Sequence, residues 1–562
     1  MSTLIDSARR ALESGNLATA ITDASRLLRR EPENSAALTI CAQAYLQLHD
    51  TTNAAKALST ILKIEPSTDW ALNALADIYF CAGHFQQADV LLRKALTVNW
   101  ENLDAHLLIG RLMSERNELS AGEYHMRQAL SLNPEHAAAH ADLALNLTQQ
   151  GLTDEAHEHY AAAHKLAPEN VRIAAYWSKL FELCGDLDRA ERLLRKVEST
   201  AAADVDLLRA SFDARTGKTE YAMRILGGNS NIGGDALLER GRLYDRLEDY
   251  DRAWADFEAA NRWFREHTPA VNYNPAAVED FFGKLKRFFV GATISQLPVA
   301  DVRRGTPQPI FIVGSPRSGT TMLEQMLISH SSVEPGGELP FLADLRAFSE
   351  VVIPGATFPD NLRQTFFGDK RHVATLFRDF YLAHAEERGL LRRSEGYFTD
   401  KMPFNEVYIP VLRMAFPKAP IIHIVRNPLD VCVSMFANKL NHGFNCAYRI
   451  EDIAHHLLAV HELHGHYREQ MPTNEIVVQY ETFVRDQKNE TQRLLDAAGL
   501  PFEDACINFH ETKRYAPTPS YATVSEAVSA RAVGRHVHYR TQLRSFAETV
   551  RPLLKAHGYD HG

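Results

Sequence analysis

The chain contains no run of eighteen apolar residues, so no membrane-spanning helix is expected. The opening residues, Met1-Ser2-Thr3-Leu4-Ile5-Asp6, run straight into Arg9, Arg10 and Glu13. They lack the apolar stretch of a secretion signal, and none is expected. Cysteine is sparse and scattered: Cys41, Cys81, Cys184, Cys432, Cys446 and Cys506 form no C-x-x-C pair and no metal-ligand spacing. Free thiols in a reducing, cytoplasmic compartment, and no metal, are the expectation. Positive charge is in deficit, with 61 Lys and Arg against 71 Asp and Glu. The resulting net charge of −10 disfavours nucleic acid or an anionic membrane as partner, while leaving room for a local basic pocket. What is present is a 562-residue chain with 45% apolar and 23% charged residues, a folded protein too long for one core.

The first half repeats itself. Pro32, Pro66, Pro134 and Pro168 fall on a 34-residue grid, with Trp100 at the missed node. Ala20, Ala54, Ala88, Gly122, Ala156 and Ala190 share that grid, as do Gly15, His49, Gly83, Asn117, Gly151 and Gly185. A partner series of small residues runs through Ala42, Ala76, Gly110, Ala144 and Ser178. Small residues let two helices approach closely. Gly, Asn and His accept the left-handed conformation that ends a helix, and Pro opens the next one. The pattern is a helix–turn–helix repeat, and it resembles the tetratricopeptide family in period and in its small-residue positions. The register weakens after Ser199 and returns at Gly241 and Ala253, giving roughly seven units up to about residue 265. Such an array forms a solenoid whose concave face can hold a peptide or partner. A purely structural arm is the alternative.

The second half reads differently. Pro309-Ile310-Phe311-Ile312-Val313, Ile421-Ile422-His423-Ile424-Val425 and Ile476-Val477-Val478-Gln479-Tyr480 are short, β-branched apolar runs, each followed by a helical stretch. They predict a parallel sheet with helices on both faces and ligands beyond the carboxyl ends of the strands. The expected organisation is an all-α repeat solenoid over 1–265, a helical connection over 266–304, and an α/β P-loop-like domain with a central parallel sheet over 305–562.

After the first run comes Gly314-Ser315-Pro316-Arg317-Ser318-Gly319-Thr320-Thr321, the frame of a phosphate-binding loop with Thr320 where lysine belongs. Loop amides and a helix N-terminus suit an anion, and the cation has moved into the loop as Arg317. A P-loop kinase or NTPase is a competing reading, and the missing lysine counts against it. Beyond the second run, Arg426 and Ser434 are eight residues apart, so a strand-end guanidinium and a helix hydroxyl can converge on one phosphate. Taken alone, Arg426 could instead be a surface residue paired with Asp430.

These segments, and Val533-Gly534-Arg535-His536 further on, resemble the sulfotransferase family, and the protein-tyrosine sulfotransferases most closely. The resemblance covers about residues 305–545. It implies 3′-phosphoadenosine 5′-phosphosulfate (PAPS) as sulfuryl donor, adenosine 3′,5′-bisphosphate as product, and no metal. It implies that Arg317, Ser318, Gly319, Thr320 and Thr321 hold the 5′-phosphosulfate, that Arg426 and Ser434 hold the 3′-phosphate, and that Tyr480, Ser520 and Arg535 grip the cofactor. Tyr480 could equally be a core tyrosine. Tyrosine-sulfating relatives carry a basic residue four positions after the serine, where this chain has Asn438, and often Trp where it has His536.

In-line transfer to a hydroxyl needs a base for the acceptor proton and cations for the leaving oxygen. Glu338, set on a loop by Pro335, Gly336, Gly337 and Pro340, is the best base, and the family gives that role to a Gly-Glu pair at this offset. Glu334 is a weaker competitor. Lys401, ahead of Met402-Pro403-Phe404, resembles the family's catalytic lysine and joins Arg317 as the second cation. His330, His423 and His442 are alternative acid–base residues. The acceptor is a hydroxyl on a peptide, protein, glycan or small molecule. A scaffold with an inactive sulfotransferase-like domain is a further reading.

Overall fold

A computed structural model describes the chain except for residues 1, 117, 197–202, 228–231, 269–271, 303–304, 368–370, 394, 441–443, 473, 512–529 and 560–562. The chain forms two compact units, Met1–Arg209 with Phe264–Ala270, and Ala210–Trp263 with Val271–Gly562.

The first unit is an array of antiparallel helix pairs, such as Ser35–Gln47 with Thr51–Ile64 and Asp69–Cys81 with Phe85–Val98. Its small-residue series is the packing seam: Ala20, Ala54, Ala88, Ala156 and Ala190 are wholly buried, as are Ala42, Ala76 and Ala144. Gly15, His49, Gly83, Gly151 and Gly185 all take positive φ, between 57° and 81°, and end the first helix of their pairs as the grid predicts. Asn117 lies outside the described residues. A second periodic signal sets the helix starts. Asn34, Asn102, His136 and Asn170 each cap a helix by accepting from a backbone N–H two or three residues on.

Two histidine pairs repeat at the same period. His106 Nδ1 meets His125 Nδ1 at 2.9 Å and His140 Nδ1 meets His159 Nδ1 at 2.8 Å. The outer nitrogens of His106 and His140 donate to Trp100 O and Pro134 O. With those protons placed, each pair needs one neutral ring to accept from the other. Burial, then His106, pushes His125 down to about 4, and burial lowers His159 and His106 as well. Unfolded histidine takes up its proton near 6.5, so this stabilisation is complete above that pH and is lost as pH falls toward 4. The His106–His125 pair therefore loses roughly 1 kcal/mol over that window, after discounting for solvent screening, and the His159 pair changes in the same direction. His125→Gln with His159→Gln flattens the dependence in a pH series of thermal melts.

The second unit holds a five-stranded sheet, β1 (Gln308–Val313), β2 (Val333–Glu334), β3 (Tyr397–Asp400), β4 (Ile421–Val425) and β5 (Glu475–Gln479). All pairs are parallel and the order is β2-β3-β1-β4-β5. Both faces are covered. Phe311 and Val313 join one apolar core, Ile310 and Ile312 the other. Strands buried on both sides read as unbroken apolar runs, which is why β1 and β4 are visible in the sequence; β5, at the sheet edge with Val477 exposed, is visible through its β-branched Ile476-Val477-Val478. Because β3 and β4 flank β1, the chain diverges at the tip of β1, where a crevice opens in sheets of this kind. Gly314, Lys401, Arg426 and Tyr480 each come directly after a strand end at that edge.

The repeat register places everything up to about 265 in the array, whereas residues 210–263 belong to the second unit. The reason is what their faces bury. Trp254 packs on Phe436 and Tyr539, with ring centroids 5.0 and 5.4 Å away, and the buried Asn261 donates to Phe436 O at 2.8 Å.

Candidate functional site

The loop after β1 turns through left-handed backbone at Arg317 (φ 68°) and Gly319 (φ 109°) before helix Thr320–Ile328 begins. A Cβ at Gly319 would lie 2.6 Å from the Tyr480 ring, so only glycine fits there. The close approach ties the loop to the end of β5. Three segments meet at this point. Arg317 Nε donates to Ser434 Oγ at 2.9 Å, from the loop to helix Pro428–Phe436. Arg426 Nη1 donates to Arg317 O at 2.9 Å, its Nη2 donates to Ala532 O, and its guanidinium lies 4.5 Å from the Tyr480 ring centre. Asp430 is taken by Gly534 N and by the backbone and ring nitrogens of His536, at 2.7–2.9 Å. The surface pairing of Arg426 with Asp430 is thus replaced by two separate tethers.

Ser318 Oγ and Arg426 Nε are buried and have no hydrogen-bond partner among the described residues. Both residues line one cavity, with Ser315 and His423. Burial, then the charges of Arg426, Arg242 and Arg535, lowers Arg317 to about 10. Unpaired donors amid crowded guanidinium groups favour a bound polyanion. Thr320 and Thr321 open the following helix and are buried. Tyr480 begins helix Tyr480–Arg485 instead of ending β5, and Glu481 braces the tip of β4 by accepting from Asn427 N at 2.9 Å. Arg535 is held by Asp245, with Nη2 2.5 Å from Oδ2. Ser520 lies outside the described residues.

A second group of charges sits past β3. Lys401, only 1% exposed, lies 2.5 Å from Glu338 Oε1 and 3.9 Å from Glu324 Oε2. Burial alone would lower the lysine, but Glu338 and Glu324 together hold it above its ordinary value, so it stays charged. Glu324 accepts from Gly337 N and Thr399 Oγ1, both at 2.9 Å. The Glu338 loop is further fixed where Gly336 N donates to Thr399 Oγ1 at 2.9 Å, and a Cβ on Gly336 would lie 1.8 Å from Thr399 O. Asp400 is buried beside Tyr381 and Asn405, and burial raises it to about 7.

Of the alternative acid–base residues, His423 lines the cavity shared by Ser318 and Arg426. Glu334 pairs with Arg393 at 2.7 Å. His330 is buried against Pro501 O and Ser332 N. His423 is buried in β4, where burial lowers it to about 4, among Arg468, His464 and Glu475. His442 lies outside the described residues. Sequence reasoning missed Glu324, Arg242 and Asp245. The first lies inside the apolar helix Thr320–Ile328, where a lone buried carboxylate implies a cationic partner.

A parallel sheet covered on both faces, with a glycine-containing loop at the tip of its central strand, defines the class, a doubly wound α/β domain. Residues 309–504 match the sulfotransferase family and residues 11–78 match the tetratricopeptide repeat, so the chain joins such repeats to a sulfotransferase-family domain. It is 28% identical over 328 residues to an "Uncharacterized protein" of Aquifex aeolicus, covering 56% of this chain and 41% of that protein. It is 23% identical over 205 residues to a "Putative protein-tyrosine sulfotransferase" of Caenorhabditis briggsae, covering 36% and 70%. It is 31% identical over 141 residues to the nodulation protein NoeE of Sinorhizobium fredii, covering 23% and 32%. The chain thus spans about two fifths of the Aquifex relative and a third of NoeE.

Proposed function

We infer that the second unit transfers a sulfuryl group from PAPS to an acceptor hydroxyl. The observation that supports this reading is the linkage at the β1–β4 edge of Arg426 to Arg317 O and of Arg317 to Ser434 Oγ, beside a cavity lined by Ser318 and Arg426, whose Oγ and Nε have no hydrogen-bond partner among the described residues. In this reading Ser318, Gly319, Thr320 and Thr321 bind the 5′-phosphosulfate with Arg317. Arg426 and Ser434 bind the 3′-phosphate, Tyr480 packs against Arg426, and Arg535, with Ser520, contributes to cofactor binding. PAPS, when bound, supplies an activated sulfur whose bond to the phosphate oxygen is the one broken.

Glu338 takes the proton of the acceptor hydroxyl as that oxygen bonds to sulfur. Lys401 and Arg317 then stabilise the charge gathering on the departing phosphate oxygen. Glu324 supports this assignment. It gives Lys401 a second counter-ion, so the lysine stays charged when Glu338 turns to an acceptor. The acceptor class that fits best is a polypeptide hydroxyl, tyrosine included, because the motifs resemble tyrosine-sulfating enzymes and the repeat array offers a surface for a protein chain. The six free cysteines suit a cytoplasmic setting.

Cell lysate incubated with radiolabelled PAPS and the full chain is expected to yield labelled acceptors that gain one SO₃ group by mass. Label that appears equally without the protein overturns the reading.

A further inference from the structure

Helix Gly234–Arg246 is built from repeat-like sequence, yet one of its faces is charged at unusual density. Asp235, Glu239, Arg242 and Asp245 are spaced four, three and three residues apart, so they share a side of the helix. That side faces the segment that follows helix Pro428–Phe436 and the turn that carries Arg535. Asp235 Oδ2 lies 3.4 Å from Lys439 Nζ. Arg242 Nη1 donates to Ala437 O at 3.1 Å and reaches Asn438 Oδ1 at 3.4 Å. Asp245 receives Arg535 through Nε at 3.3 Å and Nη2 at 2.5 Å, together with the Tyr539 hydroxyl.

These contacts do two things. The C-terminal carbonyls of helix Pro428–Phe436 are otherwise orphans, as at any helix end. Asn261 takes Phe436 O and Arg242 takes Ala437 O, so repeat-like residues cap the helix that carries Ser434. They also bring charge. Asn438 lies one turn beyond Ser434 and donates to Ser434 O at 2.8 Å, so Arg242, which reaches Asn438 Oδ1, is held at the end of the helix one turn from Ser434. Its charge is felt at Arg317, whose proton it loosens alongside Arg426 and Arg535. Glu239 neutralises Arg242 from its other side, leaving an arginine that an incoming dianion can share.

Resting on the PAPS reading above, we propose that Arg242 is a ligand of the donor's 3′-phosphate, supplied by the repeat-like helix in place of the cation missing at Asn438. Asp245 is a positioning residue that aims Arg535 at the same nucleotide. The last repeat hairpin is then a working part of the donor site, and the sulfotransferase domain alone, from residue 305, lacks one of its phosphate ligands.

The test compares adenosine 3′,5′-bisphosphate with adenosine 5′-phosphate by calorimetry on the full chain and on Arg242→Ala, Arg242→Lys and Asp245→Asn. The parent should prefer the bisphosphate strongly. Arg242→Ala should weaken the bisphosphate about 10- to 100-fold, the range for a lost charge-assisted hydrogen bond, and the 5′-phosphate less than about twofold. Arg242→Lys should recover part of the loss. Asp245→Asn should weaken both ligands. A parent with no preference sinks the PAPS reading itself. A parent with the preference and an Arg242→Ala that keeps it sinks this inference alone. Equal loss of both ligands in Arg242→Ala, with a lowered melting temperature, makes the residue only a bracket and also overturns the inference.

Discussion

Glu338→Gln should transfer sulfuryl groups about 10²–10⁴-fold more slowly than the parent while binding adenosine 3′,5′-bisphosphate within about twofold. Glutamine matches glutamate in shape and keeps the loop contacts, but it cannot take a proton. Glu338 is well placed for that role. Its side chain is 21% exposed, and its loop is locked by Gly336 N and Gly337 N against Thr399 and Glu324. The residues proposed to hold the nucleotide are others, so binding and turnover should separate. Single-turnover rates with PAPS and a labelled acceptor, beside calorimetry, measure both. A rate within tenfold of the parent would remove Glu338 as the base.

Lys401→Met should cost both activity and stability. Removing one charge-stabilising donor slows such reactions about 10²–10³-fold. The stability loss has a separate cause. Lys401 is buried against Glu324 and Glu338, and deleting one partner of a buried charge pair typically destabilises by about 3–5 kcal/mol. The pH dependence has a definite sign. Burial already raises Glu324, and losing the lysine raises it further. A carboxyl whose folded pKa exceeds its unfolded value is tolerated below the unfolded value and destabilises as pH rises. The variant should therefore recover stability as pH falls from 7 toward 5, shown by denaturant melts at the two pH values. A constant deficit would mean that packing, not charge, is what was lost.

The sequence's legibility divided along physical lines. The repeat was readable because each position of the unit has its own steric demand. Buried alanines need close helix contact, and Gly15, Gly83, Gly151 and Gly185 need left-handed backbone. Strands β1, β4 and β5 were readable as unbroken apolar runs, whereas the two residues of β2 are too few to leave a pattern. At the site, Arg317, Lys401, Arg426 and Tyr480 stood out because each directly follows a strand or lies in a strand-to-helix loop. The hydrogen bond from Arg317 to Ser434 did not stand out, since it joins residues 117 apart whose separate motifs suggested opposite ends of a nucleotide. Arg242 and Asp245 were hidden for another reason. A charged residue on a repeat helix looks like solvent-facing decoration until the surface it covers is known.

The central claim is that one pocket at the β1–β4 edge holds an adenosine 3′,5′-bisphosphate moiety. A thermal-shift titration of the full chain with that nucleotide, set against ATP with magnesium, tests it most directly. At a hundredfold excess over the dissociation constant the bisphosphate should stabilise by about 2.7 kcal/mol, a rise of roughly 5 °C, with no rise from ATP. An equal or larger rise with ATP and magnesium, and none with the bisphosphate, would contradict the account.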